Sequence, residues 1–213
     1  MSLAALPVAE VGILGGTFNP PHIGHLVMLQ EALHQLALDR VVLMPVARPP
    51  HKEAEADPGP AARLELCRLA VADAPDVSVC ELEIERGGPS YTVDTLRALH
   101  DRVPEHALTF IVGGDMADSL PTWKEPEAVL DLARLAVAER DGLRREDIAA
   151  RLEPLHRGDR VVFFDMPRID LSSSAIRDRV AAGRPLKYLV PEPVAAAIRS
   201  RRLYRSPAGR PAA

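Results

Sequence analysis

The sequence lacks the features that mark several common classes. No stretch approaches the roughly twenty consecutive apolar residues needed to cross a bilayer. Met1 to Glu10 has neither a basic start nor a long apolar centre, so no secretory leader is expected. The expectation is a cytoplasmic protein with no membrane partner. Cysteine occurs only twice, at Cys67 in a helical pattern and Cys80 in a strand pattern. Their spacing fits no metal site, and two buried free thiols are expected. Positive charge is not in excess: 26 Lys and Arg stand against 30 Asp and Glu, a net charge of -4. Binding nucleic acid broadly requires a basic surface that displaces counterions, so no nucleic-acid partner is expected. A local basic pocket remains compatible with that balance. Lysine is scarce, with only Lys52, Lys124 and Lys187. There is no internal repeat or low-complexity block, no GxGxxG, no GxxxxGK[ST] phosphate loop and no HExxH.

What remains is an alternation of short apolar runs and helical patterns. Strands are expected at 11–14, 41–44, 77–82, 108–112, 135–138 and 161–164. Helices are expected from near His22 through Leu36, and over 61–72, 92–103, 116–120, 125–131, 144–152, 173–182 and 193–201. Pro45 to Pro60 reads as a long surface loop, and loops of that length are often functional. Continuous apolar strands alternating with helices imply an α/β fold with a doubly wound parallel sheet, a Rossmann-like arrangement covered on both faces. At 213 residues one core is the simpler expectation. The domain is placed at 1–205, with 206–213 as a flexible tail. The sequence leaves the oligomeric state open, a homo-oligomer included.

Ligands of such sheets bind beyond the carboxyl ends of the strands. GGTFNPPHIGH, from Gly15 to His25, follows the first strand directly. Gly15 and Gly16 permit a sharp turn and close approach of another group. Pro20 and Pro21 suit a helix start. The helix that follows offers free N–H groups to an anion, and His22 and His25, three residues apart, are expected on one helical face beside it. Imidazoles there can donate to phosphate oxygens. A metal pair and ordinary surface histidines are the competing readings, and no third metal ligand stands nearby. Leu171-Ser172-Ser173-Ser174-Ala175-Ile176-Arg177 opens a later helix after the last strand. One serine is explained as a cap; three serines and an arginine together make a second anion site. Gly113-Gly114-Asp115 follows another strand, where Asp115 either caps the next helix or meets a ribose hydroxyl. Trp123, the only tryptophan, sits in a polar, proline-flanked loop and could stack on a flat ring.

GG-[ST]-F-x-P followed by H-x-G-H resembles the signature of the nucleotidyltransferase superfamily, which includes relatives of class I aminoacyl-tRNA synthetases. The serine run resembles that superfamily's I-S-S-T-x-I-R motif. GGTFNPPHIGH, PPHK, GPSYTVDTL, FIVGGDM, LPTWK, SSSAIR and KYLVPEPV occur in the order found in bacterial nicotinate-nucleotide adenylyltransferases, and the resemblance runs from about Gly12 to Tyr204. It implies transfer of AMP from ATP to nicotinate mononucleotide, giving deamido-NAD and pyrophosphate, with Mg2+ bound through the ATP phosphates. It implies His22, His25 and Arg177 as catalytic residues. Gly15, Gly16, Thr17, Phe18, Gly113, Asp115, Ser172 and Ser173 would join them around ATP. Gly16, Lys52, Thr92, Asp115, Trp123, Lys124 and Arg140 would meet the mononucleotide, with His51 beside Lys52 near its phosphate. Trp123 would stack on the nicotinate ring, and the backbone amides of Thr92 and Lys124 would receive its carboxylate. Asn19 stands where Asp is frequent, Ser174 where Thr is frequent, and Glu139-Arg140-Asp141-Gly142 replaces a more basic stretch. The alternatives are another branch, such as pantetheine-phosphate adenylyltransferase, and a nucleotide-binding regulator without catalysis. PSYTVDTL and PTWK count against the first, the intact histidines and Arg177 against the second.

Overall fold

The computed structural model describes residues 9–49, 56–139 and 144–205. Six parallel strands form one sheet: β1 (Glu10–Gly16), β2 (Arg40–Pro45), β3 (Val77–Val79), β4 (Ala107–Gly113), β5 (Arg134–Glu139) and β6 (Val161–Asp165), in the order β3-β2-β1-β4-β5-β6. The helices are α1 (Ile23–Gln35), α2 (Pro60–Ala70), α3 (Leu82–Arg86), α4 (Thr92–Arg102), α5 (Gly114–Ser119), α6 (Pro126–Leu132), α7 (Arg145–Leu152), α8 (Ser173–Ala181) and α9 (Glu192–Ser200). Among the described residues no helix is long and apolar enough to cross a membrane.

The doubly wound expectation is met. Successive side chains of a strand leave opposite faces, and both faces here are buried. Leu14 and Ile111 join Met28, Leu29, Ile176 and Ile198 beneath α1, α8 and α9. Ile13 and Phe110 join Leu96, Leu120 and Leu130 beneath α4 and α6. The strand order reverses between β1 and β4, so their carboxyl ends diverge and leave a crevice. Gly12 makes the centre of β1 fit: a Cβ there would lie 2.7 Å from Leu38 Cδ1 and 2.9 Å from both Ile111 and Val41.

Two local expectations change. The edge strand β3 stops at Val79, three residues short of its apolar pattern, and the chain turns into α3. Leu82, which read as the end of that strand, and Glu83 are the buried face of that helix, ended at Gly87 with φ 68. Cys67 is buried as expected, its thiol pushed up to about 12 by desolvation, but Cys80 is only half-buried. The expected tail at 206–213 lies outside the described residues.

Candidate active site

The stretch after β1 is fixed by its own histidines. His22 is the N-cap of α1 and not part of it. Its Nδ1 accepts from the Gly24 N–H at 3.2 Å, and the His25 Nδ1 accepts from the His22 N–H at 3.2 Å. Two imidazoles thus fill the roles that a serine and a glutamate fill in a capping box. The two rings lie together, as the spacing implies, although His22 is the cap and not a helical residue: their centroids are 3.9 Å apart and tilted 33°. An Nδ1 that accepts carries no proton, so each neutral ring keeps its proton on Nε2 as a donor. The same bonds argue against the metal-pair reading, because a metal on Nε2 would require that proton on Nδ1. Gly24 makes room for the arrangement: a Cβ there would lie 3.1 Å from two atoms of the His22 ring. Phe18, buried with φ 49, presents its ring edge-on to His25 at 5.0 Å.

The serine motif docks directly onto this stretch. Ser172 caps α8 by accepting from the Ala175 N–H at 3.1 Å. The Ser173 hydroxyl donates to the Pro20 carbonyl at 2.8 Å. Arg177 donates to the Asn19 carbonyl at 2.9 Å and to the Ser174 hydroxyl at 3.1 Å. Segments more than 150 residues apart in sequence are therefore joined at two carbonyls. One serine is the expected cap; the other two serve the arginine and the loop.

Across the crevice, β4 ends at Gly113, which is itself the N-cap of α5. Asp115 therefore does not cap that helix. It is exposed, with Oδ1 3.0 Å from where a Gly113 Cβ would stand. Met28 of α1 also comes within 3.9 Å of that point, which places Gly113 against the His22–His25 helix. Trp123 is half-buried, its Nε1 donating to the Ser119 hydroxyl at 3.0 Å and its ring edge-on to Phe110 at 6.1 Å. Two ion pairs tie its loop to α4. Lys124 Nζ reaches both carboxylate oxygens of Asp94 at 3.0 Å, and Arg97 forks onto Glu125 at 3.1 and 2.6 Å. The Lys124 ammonium also lies 5.0 Å from the Tyr91 ring centre.

A family model described as cytidylyltransferase-like matches residues 13–179. A probable nicotinate-nucleotide adenylyltransferase of Exiguobacterium sibiricum is 46% identical over 195 residues, covering 92% of this chain and 98% of the relative. A similarly named protein of Roseiflexus is 43% identical over 198 residues, covering 92% and 98%. The chain belongs to the nicotinate-nucleotide adenylyltransferase family. Among solved structures, Plasmodium falciparum nicotinic acid mononucleotide adenylyltransferase complexed with NaAD has a TM-score of 0.76 at 16% identity, covering 92% of this chain and 97% of that one. That likeness speaks for the fold.

Within this family member, the motif residues at 15–25, 113–115 and 172–177 follow the ends of β1, β4 and β6, and Lys124 is tied to α4, whose first residue is Thr92, through Asp94. His51, Lys52 and Arg140 lie outside the described residues. Glu139, one of the acids flanking Arg140, is engaged by Arg145 in a forked pair at 3.2 and 2.6 Å, which lowers its pKa. One site residue escaped the sequence reading altogether: Arg63, wholly buried on α2. Its signal was its place in the stripe Arg63, Leu66, Cys67, Ala70, the buried face of that helix.

Proposed function

We propose that the protein transfers AMP from ATP to nicotinate mononucleotide, releasing pyrophosphate and forming deamido-NAD. The observation that carries this reading is the docking of Ser173 and Arg177 onto the Asn19–Pro20 carbonyls beside the His22–His25 pair. It brings guanidinium and imidazole donors together at one end of the crevice, beside the N-terminus of α8, where a triphosphate needs them.

The reaction is an in-line displacement. A phosphate oxygen of the mononucleotide attacks the α-phosphorus of ATP, the bond to the bridging oxygen breaks, and pyrophosphate leaves with the electron pair. The attacking phosphate is already anionic at neutral pH, so no strong base is required. The barrier is the meeting of two anions, which fixed donors lower. His22 and His25, as neutral Nε2–H donors, Ser173 and Arg177 hold the ATP phosphates, with the Gly15–Phe18 backbone, Gly113 and Ser172 bordering the nucleotide. The triphosphate would carry Mg2+, which would neutralise part of its charge. The histidine Nδ1 bonds suit that assignment, since they keep both rings as donors. Asp115 accepts from a ribose hydroxyl. Trp123 stacks on the nicotinate ring, and the amides of Thr92 and Lys124 receive the carboxylate. Lys52 and Arg140, outside the described residues, are assigned to the mononucleotide by the family resemblance alone.

Two backbone N–H groups facing a carboxylate would face the NH₂ of a carboxamide unfavourably, so the acid is preferred over nicotinamide mononucleotide. The test is product analysis after mixing the protein with ATP, Mg2+ and nicotinate mononucleotide. Equimolar deamido-NAD and pyrophosphate are expected. ATP binding without either product would overturn the reading.

A further inference from the structure

Arg63 is 0% exposed, yet it is a cation on a helix that packs against the sheet. A buried guanidinium persists only where its donors are met, and its partners here are specific. Nη1 donates to the Thr17 carbonyl at 3.0 Å and the Val46 carbonyl at 2.8 Å; Nη2 donates to the Ala47 carbonyl at 3.0 Å. Nε faces both oxygens of Asp57 at 3.0 and 3.2 Å. Asp57 is oriented in turn by the Gly59 N–H at 2.9 Å. Thr17 leaves β1, and Val46 and Ala47 leave β2. One side chain therefore holds the exits of the two neighbouring strands.

The far side of the same segment is also fixed. The Val46 N–H donates to the Gly16 carbonyl at 3.0 Å, the Ala47 N–H to the Ser90 hydroxyl at 3.0 Å, and the Ser90 N–H to the Arg48 carbonyl at 3.0 Å. In a trans peptide the C=O and the following N–H point opposite ways, and among the described residues only Asn19–Pro20 is cis. Drawing the Thr17 and Ala47 carbonyls toward Arg63 therefore turns the Phe18 and Arg48 N–H groups away from α2.

We propose that Arg63 is a positioning residue for adenylyl transfer: it sets the peptide planes after β1 and β2 so that their N–H groups are presented to the phosphates of the two substrates. The inference rests on the adenylyltransferase reading. Arg63 touches no substrate; it acts through the backbone of Thr17, Val46 and Ala47.

The test compares wild type with Arg63→Met, Arg63→Lys and Asp57→Asn. Arg68→Met serves as a control, because Arg68 pairs with Glu81 at the surface of the same helix. Steady-state kinetics for both substrates and residue-level hydrogen exchange are measured well below the melting temperature. Arg63→Met is expected to lose at least tenfold in kcat/KM for both substrates. Its Val46 and Ala47 amides should exchange at least tenfold faster, with those of Phe110 to Val112 unchanged. Arg63→Lys, which keeps a charge but not the fork, and Asp57→Asn, which keeps the fork but not its anchor, should fall between; Arg68→Met should match wild type. Unchanged kinetics and unchanged Val46 and Ala47 exchange in Arg63→Met would overturn the proposal, as would exchange that rises equally throughout β4. Should Arg63→Met fail to fold, Asp57→Asn decides by the same two readouts. A wild type inactive on nicotinate mononucleotide would defeat the functional reading instead, while the exchange pattern would still judge the clamp.

Discussion

The two ends of the crevice are held in different ways. On the phosphate side, His22 is 3% exposed, the histidines cap their own helix, and Ser173 and Arg177 bond to backbone carbonyls of the facing loop. On the acceptor side, the Trp123 loop is tied to α4 through Lys124–Asp94 and Arg97–Glu125, pairs whose side chains are 33–47% exposed. Exposed pairs contribute little each and weaken with salt, whereas part-buried hydrogen bonds to backbone carbonyls are less screened and cost more to lose. The difference fits the proposed chemistry, in which charge stabilisation calls for fixed donors and taking in a flat ring calls for a loop that can adjust.

The sharpest way to break this comparison is at the histidines. His22→Ala or His25→Ala should lower turnover by about two to three orders of magnitude, the scale of losing one preorganised donor. Each also loses a cap bond, costing roughly 1 kcal/mol of stability. Stopped assays together with thermal melts separate the two effects. Near-normal turnover in both variants would remove the phosphate side from the account.

Gly24→Ala probes the same end more gently. Its Cβ would crowd the His22 ring at 3.1 Å, while alanine favours a helix over glycine by about 1 kcal/mol. Turnover should fall about tenfold with a melting temperature within a few degrees of wild type; a parallel loss of both would mean that the glycine serves packing alone.

Much of this arrangement was legible in the sequence. The apolar runs of β1, β2, β4, β5 and β6 and the helical spacing of α1 and α4 define the sheet and its crevice, because fully buried strands and amphipathic helices must show those patterns. The motif residues at its edge were legible by their company. Three things were not. Residues 80–82 look like strand continuation, and the buried acid that follows in α3 is explained by tertiary partners that spacing does not reveal, Thr95 donating to Glu83 at 2.6 Å among them. The histidine Nδ1 bonds depend on the backbone turn at the N-cap, which spacing does not reveal. Arg63 finds its partners in carbonyls 16, 17 and 46 residues away, and carbonyls have no sequence identity to read.

On the acceptor side, Trp123→Ala should raise KM for nicotinate mononucleotide about tenfold, the order of one lost stacking contact, and leave KM for ATP nearly unchanged. A rise confined to ATP would reverse the assignment of the two ends. Asp94→Asn, which releases Lys124, should change the same KM by less than about threefold, an effect that shrinks further in high salt.

The smallest expected effect lies beneath α4, where Glu83 is buried and desolvation holds its pKa above the ordinary glutamate value. In the window between the unfolded and folded values, the folded state keeps a proton that the unfolded state has lost. Stability therefore falls as pH rises through that window. Glu83→Gln keeps an acceptor for Thr95 and should flatten this dependence. Melting temperatures from pH 5 to 8 read it directly, and an unchanged slope would contradict the burial argument.

The most direct test of the whole account is pyrophosphate release with ATP, Mg2+ and either nicotinate mononucleotide or its amide. The account predicts rapid release with the acid and far slower release with the amide. Equal rates would contradict the carboxylate pocket proposed at the Thr92 and Lys124 amides, and no release with either would contradict adenylyl transfer to this acceptor.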